Sequence, residues 1–556
     1  MPSNRTPAED PFNATNALMA ARFFLRLPFH LWTPVNPREA AVSLQSRLVR
    51  REALFLDKVR AEVFRQPDER RPASPYRALL RRAGFEYPDL ERLVKDGGVE
   101  GALGVLLRHG VYLTVDEFKG RKPIERGPFS LPVAPRELQN PRMAPHILVA
   151  SGGSRSQGTP VMIDLRFVRA CASECALYLE SWGGLNWAKA VWEVPGAGAR
   201  FRLAKYGALV PRPCAWFSQV DPNSSDLHPV FRWNTTAMRW SSTIAGCPLP
   251  LPVHAPLTDP RPVLDWITGT LEAGGVPHVF TFPSSAVALC RASRAAGRHI
   301  AGARFTIGGE PITEARLATI RAAGAQALPR YGSIECGPIG YGCLASRHAD
   351  EVHLLHDQHA LILAGDQAGS LAGLRPDSIL ITALHPFSPF TLINVSMGDS
   401  ATVVHDTRET CGCPLERLGW RTRLYNIRSY EKLTGGGVTF LTDDVVRVLD
   451  EVLLGKFGGA PTDYQICEDE TPDGRANVLL VVNPDLGPLE DQRLIDAFLG
   501  ALGEGSIVNR MMGRMWRESQ VLRVERRAPS ATRSGKVLHF HVSRCSPAEG
   551  PNGSPP

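Results

Sequence analysis

Apolar positions along this chain follow two periods. Near its start they recur every three or four residues. SLQSRLVRREALFLDKVRAEVF (43–64) reads as one long amphipathic helix, and another begins near Pro88 and carries Leu90, Leu93 and Val94. The proline-rich RKPIERGPFSLPVAP then breaks the helical pattern. Beyond it His146-Ile147-Leu148-Val149-Ala150 reads as a strand, followed by a Gly/Ser loop and the apolar Val161-Met162-Ile163. The stretch from Phe305 to Cys343 reads strand, glycine turn, helix, strand and second turn. Its helix opens at Thr313-Glu314, carries Leu317, Ile320 and Ala323 at three-residue spacing, and closes at Gly324. Further on, strands such as NVLLVV alternate with helices such as QRLIDAFLG, the pattern of a small α+β domain. SPAEGPNGSPP, over 546–556, reads as a disordered tail.

At 556 residues the chain exceeds one ordinary domain, so a large domain and a smaller one are expected. The net charge of +7 is interleaved with 56 acidic residues and forms no basic stripe, which argues against a nucleic-acid partner. No apolar run reaches the roughly 18 residues of a membrane span. The nearest approach, 17–32, is broken by Arg22, Arg26 and Pro28 and reads as a helix docked on the protein body. The cysteines, eleven in all, are odd in number, and Cys171, Cys175 and Cys290 sit in apolar segments. They point to a reducing cytoplasm rather than a disulfide framework.

Candidate chemistry collects in loops. Ser151-Gly152-Gly153-Ser154 and Gly158-Thr159-Pro160 offer backbone N–H groups and hydroxyls that can converge on phosphate oxygens. Gly308-Gly309-Glu310-Pro311 allows close approach of backbone to a planar or anionic ligand. Tyr331-Gly332-Ser333-Ile334-Glu335 supplies a flat ring for stacking and a carboxylate for a hard cation. Asp399, after Gly398, can accept from two vicinal hydroxyls. Cys411-Gly412-Cys413 is half of a tetrahedral zinc site. Each alone also fits an ordinary turn.

Together, in this order, these stretches resemble the adenylate-forming enzymes, particularly the branch with phenylacetate-CoA ligase and the acyl-protein synthetases. The resemblance runs from about 140 to 540. It implies an α/β fold: a large multi-layer N-terminal adenylation domain, with a helical part over 1–125 and a core over 126–427, and a small mobile α+β lid over 428–545. It implies ATP and Mg2+ as cofactors, with the loop at 151–160 around the phosphates and Tyr331 stacked on adenine. Asp399 and Arg428 would hold the ribose, Glu335 the magnesium, and Lys536, in ATRSGK, would bridge carboxylate and α-phosphate. Glu431 is the candidate hinge carboxylate. In that branch Cys343 and a following histidine, His353 in preference to His348, join Cys411 and Cys413 around structural Zn2+. Trp216, Phe217 and Trp233 fall where the family lines its acyl pocket. The implied reaction converts an aryl or fatty carboxylic acid to acyl-AMP with release of pyrophosphate, then to a coenzyme A thioester. Transfer to a protein thiol or an amine, and a non-catalytic zinc-stabilised scaffold, are the alternatives. Relatives are often homodimers, and the sequence leaves both oligomeric state and acid open.

Overall fold

The computed structural model describes residues 14–67, 72–144, 146–150, 160–194, 196–224, 229–365, 371, 373–405, 411–430, 432–435, 438–471, 473–504, 507–529 and 540–542. One sheet of twelve strands dominates it. These are β1 (Ala188–Glu193), β2 (Pro213–Ser218), β3 (Pro252–His254), β4 (Pro277–Thr281), β5 (Arg304–Ile307), β6 (Gln326–Ser333), β7 (Gly337–Tyr341), β8 (Val352–Leu354), β9 (His359–Leu363), β10 (Ser378–Ala383), β11 (Val395–Val404) and β12 (Arg423–Ser429). They lie in the order β9-β10-β11-β12-β8-β7-β6-β5-β4-β1-β2-β3.

Strands β1 to β6 pair in parallel, and the rest antiparallel. The parallel half, β3-β2-β1-β4-β5-β6, has the doubly wound order, with its switch point between β1 and β4. Its crossovers contain the helices Ala197–Gly207, Pro229–Ile244, Arg261–Glu272, Pro283–Ala295 and Glu314–Ala322, as parallel pairing requires. Both faces are covered, so β1 from Lys189 on and the whole of β4 are buried without alternation. Their alternate residues divide between two cores: Val191 and Phe280 enter one, Trp192 and Val279 the other.

The helices before residue 125 pack on the first of these cores. The helix Ala14–Trp32 docks through Phe23, Leu27 and Leu31, as expected. The single helix expected over 43–64 is two, Pro37–Val49 and Arg51–Glu62, and between them Arg50 leaves helical geometry at φ −95°, ψ 16°. Here Arg47 reaches Asp357 at 2.7 Å and Arg51 reaches Glu100 at 2.7 Å and the His356 carbonyl at 2.9 Å. Local propensity favours continuing through these arginines, and the tertiary ion pairs override it. The helix Tyr87–Arg108 starts with Pro88 in its first turn and kinks at Gly98 (φ 66°).

A four-stranded sheet forms the smaller domain, in the order β15-β14-β13-β16, from β13 (Tyr464–Glu470), β14 (Ala476–Val482), β15 (Leu522–Arg526) and β16 (Phe540–Val542). The helices Asp491–Gly503 and Ile507–Ser519 close a separate apolar core containing Tyr464, Phe498 and Trp516. The architecture is thus α/β, with a large multi-layer domain and a small α+β domain. β12 stays in the large sheet to Ser429, two residues beyond the expected boundary. The small domain rests on the helix Glu314–Ala322 and its neighbour: Glu470 meets Arg316 at 3.1 Å, the Asp473 carbonyl accepts from Thr319 at 2.8 Å, and the Asp473 carboxylate pairs with Arg291. Among the described residues no helix is long and apolar enough to cross a membrane.

Candidate functional site

The two turns around the helix Glu314–Ala322 are built from glycines that cannot be replaced without movement. A Cβ on Gly308 would stand 2.4 Å from the Arg330 carbonyl oxygen, and Gly309 has a φ of 87°. A Cβ on Gly332 would stand 2.4 Å from the Gly337 oxygen, where the β6–β7 register shifts. Thr313 caps the helix by accepting from Arg316 N at 3.3 Å. Glu310 is turned inward. Its carboxylate accepts from the Ser284 amide at 3.0 Å and the Ser284 hydroxyl at 2.8 Å, and lies 3.4 Å from Arg316. It braces the start of the helix Pro283–Ala295, and the sequence carries no local signal for Arg316.

Tyr331 stands near the end of β6 and donates from its phenol to Asp399 Oδ2 at 2.8 Å. Burial, followed by the negative charge of Asp399, raises this phenol well above its ordinary pKa, so it remains a donor at neutral pH. Asp399 lies on β11, where Gly398 takes a φ of 81°. Antiparallel pairing sets Asp399 opposite Ser429 and Ser400 opposite Arg428. The Arg428 guanidinium is held by Asp350 at 2.9 Å, and Asp350 also accepts from the amides of Asn426 (3.1 Å) and Ile427 (2.7 Å). The sequence carries no local signal for Asp350. Glu335 is buried in the β6–β7 turn, and Ser333 Oγ accepts from Cys336 N at 3.1 Å within that turn. The structure thus brings together Tyr331, Asp399 and the β12 backbone beside Arg428.

Ser151, Gly152, Gly153, Ser154, Gly158, Thr159, Glu431 and Lys536 lie outside the described residues. Described chain flanks the first loop as an antiparallel hairpin, Ile147–Ala150 with Pro160–Ile163. β16 resumes after Lys536 and pairs with β13. The three aromatics expected at an acyl pocket separate: Trp216 and Phe217 are core residues, whereas Trp233 is 55% exposed and packs edge-on against Phe24 at 5.7 Å.

Cys343, His353, Cys411 and Cys413 place their donor atoms within 4.8 Å of one another. His353 Nε2 lies 3.5 Å from Cys411 Sγ and 3.4 Å from Cys413 Sγ. Tetrahedral zinc with ordinary bond lengths requires about 3.6 Å between sulfur and nitrogen ligands, so the donor set fits that ion. His353 Nδ1 meets the Trp420 carbonyl at 2.7 Å, the contact that orients a ligating imidazole. Cys343 is drawn down by its contact with Cys413, and Cys413 is pushed up by the same contact and by burial. The cluster therefore resists carrying several thiolates by itself, and a dication would relieve this. His348 is elsewhere, stacked on Tyr425 at 3.9 Å.

No known family profile matches the chain, and no curated protein matches it. Solved structures do. The chain is similar to 2-hydroxyisobutyryl-CoA ligase in complex with 2-HIB-AMP and CoA in the thioesterification state, at a TM-score of 0.51 and 14% identity, covering 92% of this chain and 91% of that one. This likeness shows a shared fold over nearly the whole of both chains. An o-succinylbenzoate CoA synthetase variant from Bacillus subtilis, bound with a product analogue, matches at a TM-score of 0.39 and 14% identity over 72% of this chain and 69% of that one. An amide bond synthetase variant from Marinactinospora thermotolerans matches at 0.39 and 13% over 78% and 76%.

Proposed function

We propose that this chain is an adenylate-forming ligase of the phenylacetate-CoA ligase type, which activates a carboxylic acid with ATP, releases pyrophosphate and passes the acyl group to coenzyme A. One observation carries the reading: the Tyr331–Asp399 hydrogen bond joins the aromatic turn to the Gly398-Asp399 strand, beside Arg428, on the fold of a known CoA ligase. A ring tethered by its hydroxyl presents a fixed face to adenine. Asp399, next to it, can accept from both ribose hydroxyls. Arg428, locked by Asp350, places a cation beside them.

Carboxylate and α-phosphate repel, so the enzyme must neutralise charge and fix in-line geometry. Lys536 is assigned to bridge the two anions, and the loop at 151–160 to cradle the outgoing phosphates. Glu335, a buried hard-oxygen donor, would hold Mg2+, which when bound supplies charge neutralisation at the phosphates. The Cys343–His353–Cys411–Cys413 cluster would hold zinc with no open position, as a structural tie between the β7–β8 segment and the turn before β12. Rotation of the small domain about the residues after Ser429 would withdraw Lys536 and admit CoA.

The test is pyrophosphate release from ATP and magnesium over a panel of aryl and fatty acids, without and then with CoA. Acid-dependent release that CoA accelerates is expected. ATP binding without release for any acid, or release indifferent to CoA, removes the ligase or the acceptor assignment respectively.

A further inference from the structure

The switch point of the parallel sheet lies between β1 and β4, and in doubly wound folds ligands bind outside the carboxyl ends of the strands there. Here those ends carry Glu193, the last residue of β1, and Phe280, the next to last of β4. Three cations converge on the Phe280 ring: Arg202 at 4.5 Å from its centroid, Lys205 at 5.5 Å and Arg330 at 5.9 Å. Arg202 and Lys205 are one turn apart on the helix Ala197–Gly207. Arg330 immediately precedes Tyr331 on β6, one residue from the nucleotide motif.

The charges here do not balance. Glu193 Oε1 lies 2.6 Å from Arg202 Nε, an ion pair outside hydrogen-bond angles. The other nearby carboxyl, Glu174, is only 2% exposed, and burial raises its pKa well above its ordinary value; burial also raises Glu193 and lowers Lys205 and Arg202. Lys205 is 1% exposed and lies against the faces of Tyr206 and Phe280. Among the described residues Lys205 and Arg330 make no hydrogen bond and no close ion pair; the charges of Glu193 and Glu174 reach them only from farther away. Arg330 Nε, Glu174 Oε2 and Tyr341 Oη are buried without hydrogen bonds. Ring faces compensate a cation only in part, and buried polar atoms left unpaired together mark a place where a ligand or ordered water belongs.

We propose that Arg202, Lys205 and Arg330 form an anion pocket that receives a second carboxylate of the acid substrate, so that this chain takes dicarboxylic acids. The inference deepens the ligase reading and rests on it for the word substrate. Phe280, whose ring lies against all three cations, supplies an apolar wall for the carbon skeleton between the two carboxylates. A mono-acid would leave the cations unpaired, and a site built to bind a polar group discriminates strongly against an analogue that lacks it.

Calorimetric titration without ATP, using acids matched in length with one or two carboxylates, tests this on wild type, Lys205→Met and Arg330→Met. Two charge-assisted contacts should favour the dicarboxylate by about thirtyfold or more, and each variant should lose about tenfold of that preference. Methionine fills a similar volume without a buried charge, so unfolding midpoints should hold or rise. Equal binding of both acids, binding of neither, or a preference that survives both substitutions would overturn the pocket. Dicarboxylate binding without pyrophosphate release would support the pocket and remove the ligase reading. Release with mono-acids and no gain from a second carboxylate would do the reverse.

Discussion

Tyr331→Phe and Asp399→Asn, singly and together, test the centre of the proposed nucleotide site. The phenol donates to Asp399 Oδ2 at 2.8 Å, and the aspartate is 9% exposed. A hydrogen bond to a buried ionised acceptor contributes about 1.5–3 kcal/mol, so Tyr331→Phe should destabilise the protein by about 2 kcal/mol. Asp399→Asn retains an acceptor but loses the charge, which roughly halves such a bond and should cost about 1 kcal/mol. The double variant should then show a coupling of about 1–2 kcal/mol in a denaturant-unfolding cycle.

The functional arm separates orientation from recognition. Tyr331→Phe keeps the stacking ring but leaves the carboxylate untethered. If all 2 kcal/mol bears on nucleotide binding, kcat/KM for ATP should fall about thirtyfold. Asp399→Asn should in addition erase the preference for ATP over 2′-deoxy-ATP, because the charged acceptor of the ribose hydroxyls is gone. A coupling below about 0.5 kcal/mol together with unchanged ribose discrimination would refute the argument. Asp399 would then be a buried strand residue that happens to meet a tyrosine.

Three further outcomes are expected. Purified protein should carry one zinc per chain by metal analysis; Cys411→Ser with Cys413→Ser should release it and lower the unfolding midpoint, whereas His348→Ala should retain it, and metal-free wild type would refute the cluster. Gly308→Ala should destabilise by about 1–3 kcal/mol, because its Cβ would stand 2.4 Å from a main-chain oxygen, whereas Gly269→Ala, on a helix with nothing within 4 Å, should stabilise by about 0.5–1 kcal/mol; equal responses in denaturant unfolding would contradict the packing argument. Lys536→Ala should abolish adenylation while leaving transfer from supplied acyl-AMP largely intact, and equal loss of both half-reactions would overturn its assignment.

The features legible in the sequence were those written within a few residues. The capped helix from Glu314, the glycine turns on either side of it and the two-domain order all depend on short-range chemistry, and all appear. The arginine-rich segment 43–64 reads as one helix from its own pattern, and its break is set by Asp357 and Glu100, residues with no mark in that pattern. Of the two candidate histidines, only strand register decides. Pairing of His353 with Tyr341 on one side and Arg423 on the other carries its ring to Trp420 and the two cysteines, whereas His348, before β8 begins, turns to Tyr425.

The same limit explains why the sequence did not disclose the cation cluster. Arg202 and Lys205 look like the polar face of an amphipathic helix, and Arg330 like an ordinary residue before a tyrosine. Only the strand order, which sets β1 beside β4, makes one ring the meeting point of all three. That arrangement also separates two kinds of information. The proposed nucleotide motifs are short because they lie in turns and one strand pair, so they can be found by inspection. The proposed acid pocket draws its side chains from β4, β6 and a crossover helix, so on that proposal the identity of the acid is carried by topology and charge balance. Substitutions in the cluster should therefore change which acid is used and leave ribose discrimination intact, while those at Tyr331 and Asp399 should do the opposite. A single variant that moved both together would show that the two ends of the site are not separable in this way.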